Sequence, residues 1–142
     1  MEDYLLKNML KNTIMYNSVW YNNLTKPPFA PPNEIFAPVW SVLYLLIFTS
    51  FIIYFLKKAK NKESGYFFFG GQLFLNIIWS LIFFLTKSIA GAFLVIILLD
   101  IFVVLTIIKF YSIKKIAGIL LIPYLIWILF ATYLNAGYLF LN

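Results

Sequence analysis

Residues 88–108 read SIAGAFLVIILLDIFVVLTII, a long apolar run whose one charged side chain is Asp100. A membrane-spanning helix needs about 20 predominantly apolar residues, so this run is long enough to cross a bilayer. Strands of a membrane β-barrel would instead alternate polar and apolar residues over about ten positions. Because backbone groups in lipid must form their hydrogen bonds within the segment, the run predicts a transmembrane α-helix.

Three further runs of the same kind lie on either side of it: PVWSVLYLLIFTSFIIYFL at 38–56, GYFFFGGQLFLNIIWSLIFFLT at 65–86 and IAGILLIPYLIWILFATYLNAGYLFL at 116–141. The chain of 142 residues is 63% hydrophobic and only 11% charged, whereas a soluble domain carries about 25% charged residues. The sequence therefore predicts an all-α membrane protein, a single domain over 1–142, with four spanning helices at 38–56, 65–86, 88–108 and 116–141.

Residues 1–19 have a different character, because Glu2, Asp3, Lys7 and Lys11 make them too polar for a spanning helix. Apolar side chains nevertheless recur there at helical spacing, which forms one apolar stripe. The stripe consists of Leu5, Leu6, Met9, Leu10 and Ile14. We expect an amphipathic helix at the membrane interface, as a degenerate first helix.

The positive charge is unevenly distributed between the connectors. Of the 11 basic residues, seven lie in the connectors 57–64 and 109–115, which share one side of the membrane if every run spans. Lysine-rich loops favour the cytoplasm. We therefore expect these connectors inside, and the loop 20–37 and the C-terminus outside. On a membrane protein the net charge of +6 reports topology, so we expect no nucleic-acid partner.

Proline dominates the loop at 20–37. Pro27, Pro28, Pro31 and Pro32 lie within it, and Pro38 follows. Each proline fixes its own φ and restricts the residue before it, so the loop has few conformations. Such a loop can act as a lid over an opening, or as a rigid connector that sets where the next helix begins.

Aromatic and polar side chains share faces on three of the predicted helices. The pairs are Trp40 with Tyr44, Asn76 with Trp79, and Trp127 with Ala131, followed one turn later by Leu134 and Asn135. If these faces converge, they form an apolar cavity with a few fixed polar contacts, which is typical of small-molecule sites. Each tryptophan alone fits equally well as an interfacial belt residue or as ordinary packing.

Two single residues interrupt the apolar runs. Asp100 within a membrane is either a functional group or a structural tie to a hydroxyl on a neighbouring helix, and we favour the tie. Pro123 removes a backbone donor one turn before Trp127, so we expect a kink there. The chain has neither Cys nor His, which excludes disulfides, ordinary zinc sites and Ser-His-Asp catalysis, and we predict no metal site.

Two long segments resemble the TspO/MBR family, which includes the tryptophan-rich sensory proteins and the translocator protein, or peripheral-type benzodiazepine receptor. They are WYNNLTKPPFAPP with FAPVWSVLYLL at 20–32 and 36–46, and LIPYLIWILFATYLN at 121–135. The segments QLFLNIIWS (72–80) and LLDI (98–101) are similar to the family's middle helices. The resemblance covers residues 20–142 in consistent order.

The resemblance implies a helical membrane protein, usually with five spans and often a homodimer. The family binds porphyrins such as protoporphyrin IX and, in animals, cholesterol and benzodiazepine-type drugs, in a cavity under the first loop. The matching ligand-binding positions here are Tyr21, Pro31, Trp40, Tyr44, Asn76, Trp79, Trp127, Ala131 and Leu134. Some bacterial members break down bound porphyrin in light, a role for which Trp40 and Trp127 are the candidates.

The chain departs from the family at its beginning. Members usually have a full apolar helix before the Trp-Tyr pair, whereas the residues before Trp20 are polar here. Either an interfacial amphipathic helix replaces that span or the chain is truncated. Family members also often have Trp where Phe29 and Leu139 stand, which affects the photochemistry more than the binding.

Three functions remain open. The first is a bacterial plasma-membrane protein that binds a porphyrin-like or sterol-like planar ligand as sensor, scavenger or transporter. It would require no cofactor, and because the chain lacks His, we expect it to prefer metal-free porphyrin over haem. The second is a light-dependent porphyrin-degrading enzyme. The third is a structural or regulatory membrane subunit with a vestigial pocket.

Overall fold

A computed structural model describes residues 23–31 and 35–142 of the chain. The expectations for the helix at 1–19, for Trp20, Tyr21 and Pro32 lie outside these described residues. Within them, all regular secondary structure is helical. The helices are α1 (Phe36–Leu56), α2 (Glu63–Ser80, continued by a π-helical turn at Leu81–Leu85), α3 (Ile89–Ile113), α4 (Lys115–Ile119) and α5 (Ile122–Leu141).

The predicted four-span architecture is confirmed. The described residues contain four segments that are long and apolar enough to cross a membrane, at Phe36–Leu56, Glu63–Leu85, Ile89–Ile113 and Lys115–Leu141. The first begins two residues before the predicted boundary, and the third ends at 113 rather than at 108. Each span exposes large apolar side chains on its outer surface, such as Phe48, Phe74, Leu94 and Phe140, as lipid contact requires.

The connection between α2 and α3 is a tight turn at 86–88. The π-helical turn ends there with the Thr86 amide donating to the Leu81 carbonyl at 3.3 Å, a bond that closes one residue wider than in an α-helix. Lys87 has a φ of +59°, and the Ser88 hydroxyl then caps α3 by accepting a hydrogen bond from the Gly91 amide at 3.2 Å. The next helix therefore returns antiparallel after three residues.

The interruption expected at Pro123 is present, as a break rather than a smooth kink. Helix α4 ends at Ile119, and α5 begins at Ile122 with Pro123 in its first turn. Proline is tolerated in the first turn because its missing N–H would have had no partner within the helix. The amide of Leu121 instead bonds the Gly118 carbonyl at 3.1 Å, which closes the break.

The bundle has two ends that differ in packing. We call the end with the connectors 57–62 and 114 the Lys-loop end, and the end with residues 23–31 and 86–88 the proline-loop end. At the Lys-loop end, Tyr54 stacks on Phe110 with ring centroids 4.0 Å apart, and Phe51 stacks on Phe69 at 4.7 Å. Helices α1, α2 and α3 therefore meet closely at this end.

Candidate functional site

A cavity of about 250 Å³ lies between α1, α2 and α5 on the proline-loop side of the bundle. Its volume is close to the lower limit of small-molecule sites, about 300 Å³. Its walls are mainly aromatic, with a few amide and hydroxyl groups. They consist of Phe36, Trp40, Tyr44, Asn76, Trp79, Ser80, Phe83, Phe84, Trp127, Ala131, Leu134, Asn135 and Tyr138.

The rings around the cavity meet between helices mostly edge to face. Trp40 and Trp127 have centroids 6.3 Å apart with their planes at 89°, and Phe36 meets Trp127 at 5.9 Å and 68°. Edge-to-face pairs are favourable in energy. These contacts therefore join α1 to α5 beside the cavity.

A chain of hydrogen bonds holds one wall of the cavity. The Tyr44 hydroxyl donates to Asn76 Oδ1 at 3.0 Å, and Asn76 Nδ2 donates to the Tyr124 hydroxyl oxygen at 2.8 Å. Tyr124 in turn donates to Gln72 Oε1 at 2.7 Å. Asn76, Tyr124 and Gln72 are each almost fully buried, so the amide and hydroxyl groups within the membrane-spanning bundle bond one another rather than water.

A second set of hydrogen bonds holds another part of the wall. Trp79 Nε1 donates to Asn135 Oδ1 at 2.9 Å, and Asn135 Nδ2 donates to the Ile89 carbonyl at 3.1 Å. Asn135 therefore connects α5 to both α2 and α3. The indole of Trp79 is fixed in one orientation by this bond, which leaves its ring as a rigid surface of the cavity.

The described part of the proline loop is attached to α5. The Thr25 amide donates to Asn142 Oδ1 at 2.9 Å, and Asn142 Nδ2 donates back to the Thr25 carbonyl at 3.0 Å. The Tyr133 hydroxyl donates to the Pro28 carbonyl. Pro27 lies so close to Gly137 that a Cβ on that glycine would be 2.4 Å from the Pro27 ring. These contacts hold the loop at the proline-loop end of α5.

The loop also contacts the walls of the cavity. Leu24 and Ala30 pack against a buried cluster at the proline-loop end. That cluster shares five residues with the cavity wall: Phe36, Phe83, Phe84, Leu134 and Tyr138. The described loop residues therefore pack against residues of the cavity wall without lining the cavity themselves, and the role of the loop as a lid stays a prediction.

Asp100 lies on α3, outside the cavity wall. Thr132 Oγ1 of α5 donates to Asp100 Oδ2 at 2.7 Å, which is the hydroxyl tie to a neighbouring helix that we favoured from the sequence. Asp100 Oδ1 is buried and forms no hydrogen bond with the described residues.

The structure brings seven of the nine predicted ligand-binding residues together in the cavity wall. They are Trp40, Tyr44, Asn76, Trp79, Trp127, Ala131 and Leu134. Pro31 is partly buried in the loop and is not among the wall residues. Tyr21 lies outside the described residues. Their role in binding a ligand stays a prediction.

Several wall residues were not predicted. Most of them lie four positions from a predicted residue, so they share its helical face. Phe36 precedes Trp40 by four positions, Phe83 follows Trp79 by four, and Tyr138 follows Leu134 by four. Extending each predicted face by one turn would have found these three. Phe84 carries the same signal, because it follows Asn76 by eight positions and Ser80 by four, which is the spacing of one helical face.

Acidic side chains do not gather around the cavity. Among residues 23–31 and 35–142, no three carboxylate, imidazole or thiol side chains come together as metal ligands would. The wall offers amide, hydroxyl and indole groups instead, which suit hydrogen bonding to an organic molecule.

Comparison with known proteins adds a family and several relatives. The profile of the TspO/MBR family matches residues 5–141. The tryptophan-rich protein TspO of Chlorobaculum tepidum is 40% identical over 127 residues, covering 88% of this chain and 80% of that protein. The protein of the same name from Archaeoglobus fulgidus is 42% identical over 123 residues, covering 87% and 80%. The human translocator protein is 34% identical over 122 residues, covering 82% and 70%.

Proposed function

The chain belongs to the TspO/MBR family, and on this basis we propose that it is a membrane sensor or transporter whose cavity binds a tetrapyrrole or another planar apolar ligand. The observation that carries the proposal is the cavity wall, where Trp40, Trp79 and Trp127 come from three different helices. Flat aromatic surfaces offer a planar apolar molecule a large contact area. The resemblance to porphyrin-binding members favours protoporphyrin IX as the ligand to test first.

The size of the cavity bears on how such a ligand would bind. A tetrapyrrole macrocycle is larger than about 250 Å³. We therefore expect the proline loop to move when it binds, or one edge of the ring to remain between α1 and α2. No cofactor is required in this proposal, and the absence of His from the chain favours a metal-free porphyrin over ligated haem.

Quenching of tryptophan fluorescence by protoporphyrin IX in detergent tests the proposal. Three of the chain's four tryptophans line the cavity, so a bound porphyrin should quench most of the emission. Ala131→Phe should abolish the quenching because it fills the cavity, whereas the matched change Ala90→Phe, at an exposed position on α3, should preserve it. Unchanged emission of the wild-type protein at micromolar porphyrin would refute porphyrin binding.

Light-dependent porphyrin breakdown is the second candidate function. The contact between Trp40 and Trp127, with ring centroids 6.3 Å apart, favours it, because two indoles lie together at the same cavity wall. Illumination of the complex should bleach the porphyrin absorption, and Trp40→Phe and Trp127→Phe should slow that loss. Equal rates in the wild type and both variants would exclude the proposed role of these indoles.

We propose that the protein lies in a bacterial plasma membrane as a homodimer, with residues 57–62 and the turn near Lys114 in the cytoplasm and the proline loop outside. The lysine distribution supports this orientation. The chain has no Cys, so single-cysteine variants report topology directly. A membrane-impermeant maleimide should label Lys87→Cys in intact cells, but Lys60→Cys only after lysis; the reverse pattern would invert the orientation.

A further inference from the structure

The hydrogen-bond chain from Gln72 to Tyr44 has a direction, which follows from Gln72 presenting Oε1 rather than Nε2 to Tyr124. Tyr124 has one hydroxyl proton, which it donates to Gln72 Oε1 at 2.7 Å. Its oxygen can therefore only accept from Asn76, whose Nδ2 lies 2.8 Å away. The orientation of the Asn76 amide follows from the proton of Tyr124.

The consequence reaches the cavity through Tyr44. With its Nδ2 directed at Tyr124, Asn76 presents Oδ1 to Tyr44, which donates its own proton there at 3.0 Å. Tyr44 lines the cavity, and its remaining lone pairs can only accept. A ligand at this wall therefore meets an acceptor when it reaches Tyr44.

Structural stability alone does not explain why a glutamine occupies position 72. It is 1% exposed, it does not line the cavity, and its Nε2 is buried with no hydrogen-bond partner among the described residues. An unsatisfied buried amide destabilises a protein, and an apolar side chain of the same shape avoids that cost. The one bond that Gln72 makes is the bond that directs the proton of Tyr124.

We propose that Gln72 is a specificity-determining residue that acts through Tyr124 and Asn76 and makes the pocket select planar ligands with an N–H or O–H donor at the Tyr44 wall. The inference rests on the proposed ligand-binding function and deepens it. Gln72 touches no ligand in this arrangement, and it acts as a positioning residue.

Replacing Gln72 by Met, which has a similar shape and no strong acceptor, should reverse the chain. Tyr124 would then lose its acceptor and donate to Asn76 Oδ1 after rotation of that amide. Asn76 Nδ2 would donate to Tyr44, whose proton would become free to donate into the cavity. In this arrangement the Tyr124 hydroxyl again has an acceptor, which it would lack if the chain kept its original direction.

The test uses two probes of nearly identical shape, carbazole and dibenzofuran, which carry a ring N–H donor and a ring oxygen acceptor respectively. Affinities are measured by calorimetry in the same detergent micelles, so probe partition into detergent cancels when variants are compared. One net hydrogen bond corresponds to an affinity change of roughly three- to tenfold. The wild type should bind carbazole more tightly by about that factor, and Gln72→Met should reduce the ratio to one or below.

Two further variants complete the design. Tyr124→Phe keeps the ring but breaks the chain, so it should also remove the preference for carbazole, and it serves if Gln72→Met does not fold. Thr106→Val is the control, because the Thr106 hydroxyl is buried and bonds only the Phe102 carbonyl of its own helix. The control should keep the wild-type ratio.

The outcomes separate the inference from the function on which it rests. If both probes bind the wild type equally, or if Gln72→Met and Tyr124→Phe weaken both probes by the same factor, the inference is overturned while the binding function stands. If neither probe binds the wild type, the inference is overturned, and the quenching by protoporphyrin IX decides separately whether the proposed binding function stands.

Discussion

The two ends of the bundle are both built from aromatic rings, yet one is filled and the other contains a cavity. At the Lys-loop end, some rings from different helices lie nearly parallel, such as Tyr54 and Phe110 at 8°, although Tyr54 and Tyr66 meet at 82°. At the proline-loop end, Trp40 and Trp127 meet at 89°. Aromatic composition alone therefore does not decide whether space is filled.

Glycines and buried amides account for the difference. At the Lys-loop end, Gly65 lies directly under the Tyr54 ring and Gly118 lies against the Tyr111 backbone, so the helices approach closely. At the proline-loop end, Asn76 and Asn135 hold the aromatic walls by hydrogen bonds. Gly65 leaves room for the Tyr54 side chain beside α2, whereas the two asparagines fix the orientation of aromatic residues in the cavity wall.

Added volume at the Lys-loop end should be strongly destabilising. A Cβ at Gly118 would lie 2.9 Å from the Tyr111 backbone nitrogen, which cannot rotate away. We expect Gly118→Ala to lower the free energy of unfolding by about 3 kcal/mol, measured by denaturant titration in detergent. Gly70→Ala is the control, because nothing lies within 4 Å of its added Cβ. A Gly118→Ala protein as stable as the control would contradict close backbone packing.

Loss of a hydrogen bond at the proline-loop end should have a smaller effect. Trp79→Phe removes the indole donor and leaves the buried Asn135 Oδ1 without it. We expect a loss of about 2 kcal/mol. In an Asn135→Leu background the same change should cost much less, since the acceptor is already absent. Additive losses in this double-mutant cycle would show that the bond does not hold the wall.

Added volume at the cavity should stabilise the protein, in contrast to added volume at the Lys-loop end. Ala131→Leu places apolar atoms in space between the helices, and each buried methylene contributes about 0.8 kcal/mol. After the cost of fitting the side chain, we expect a gain of about 1 kcal/mol and a loss of probe binding. Ala90→Leu, which is exposed on α3, should change neither quantity. A destabilised Ala131→Leu protein would mean that both ends are equally full.

The features that depend on helical periodicity and on composition were predicted from the sequence. The four spans follow from length and hydropathy, and the faces that carry Trp40, Asn76 and Trp127 follow from helical spacing. The partnership of Gln72 with Tyr124 could not be predicted, because it depends on the axial register between α2 and α5. Spacing within a single helix contains no information on that register. The wall position of Phe84 continues the face of Asn76 by helical spacing, whereas the π-helical turn at the end of α2 has no signature in residue type.

If the cavity binds a ligand as proposed and the proline loop opens to admit it, the attachment of the loop to α5 affects how quickly the ligand exchanges rather than how tightly it is held. If the bonds between Thr25 and Asn142 are the same before and after binding, they cancel in the equilibrium constant. They must still break whenever the loop opens, so they slow entry and exit equally. Weakening them with Asn142→Ala would leave the dissociation constant unchanged while both rate constants rise. A membrane carrier and a membrane sensor with the same pocket could thus differ only in how long this loop stays closed.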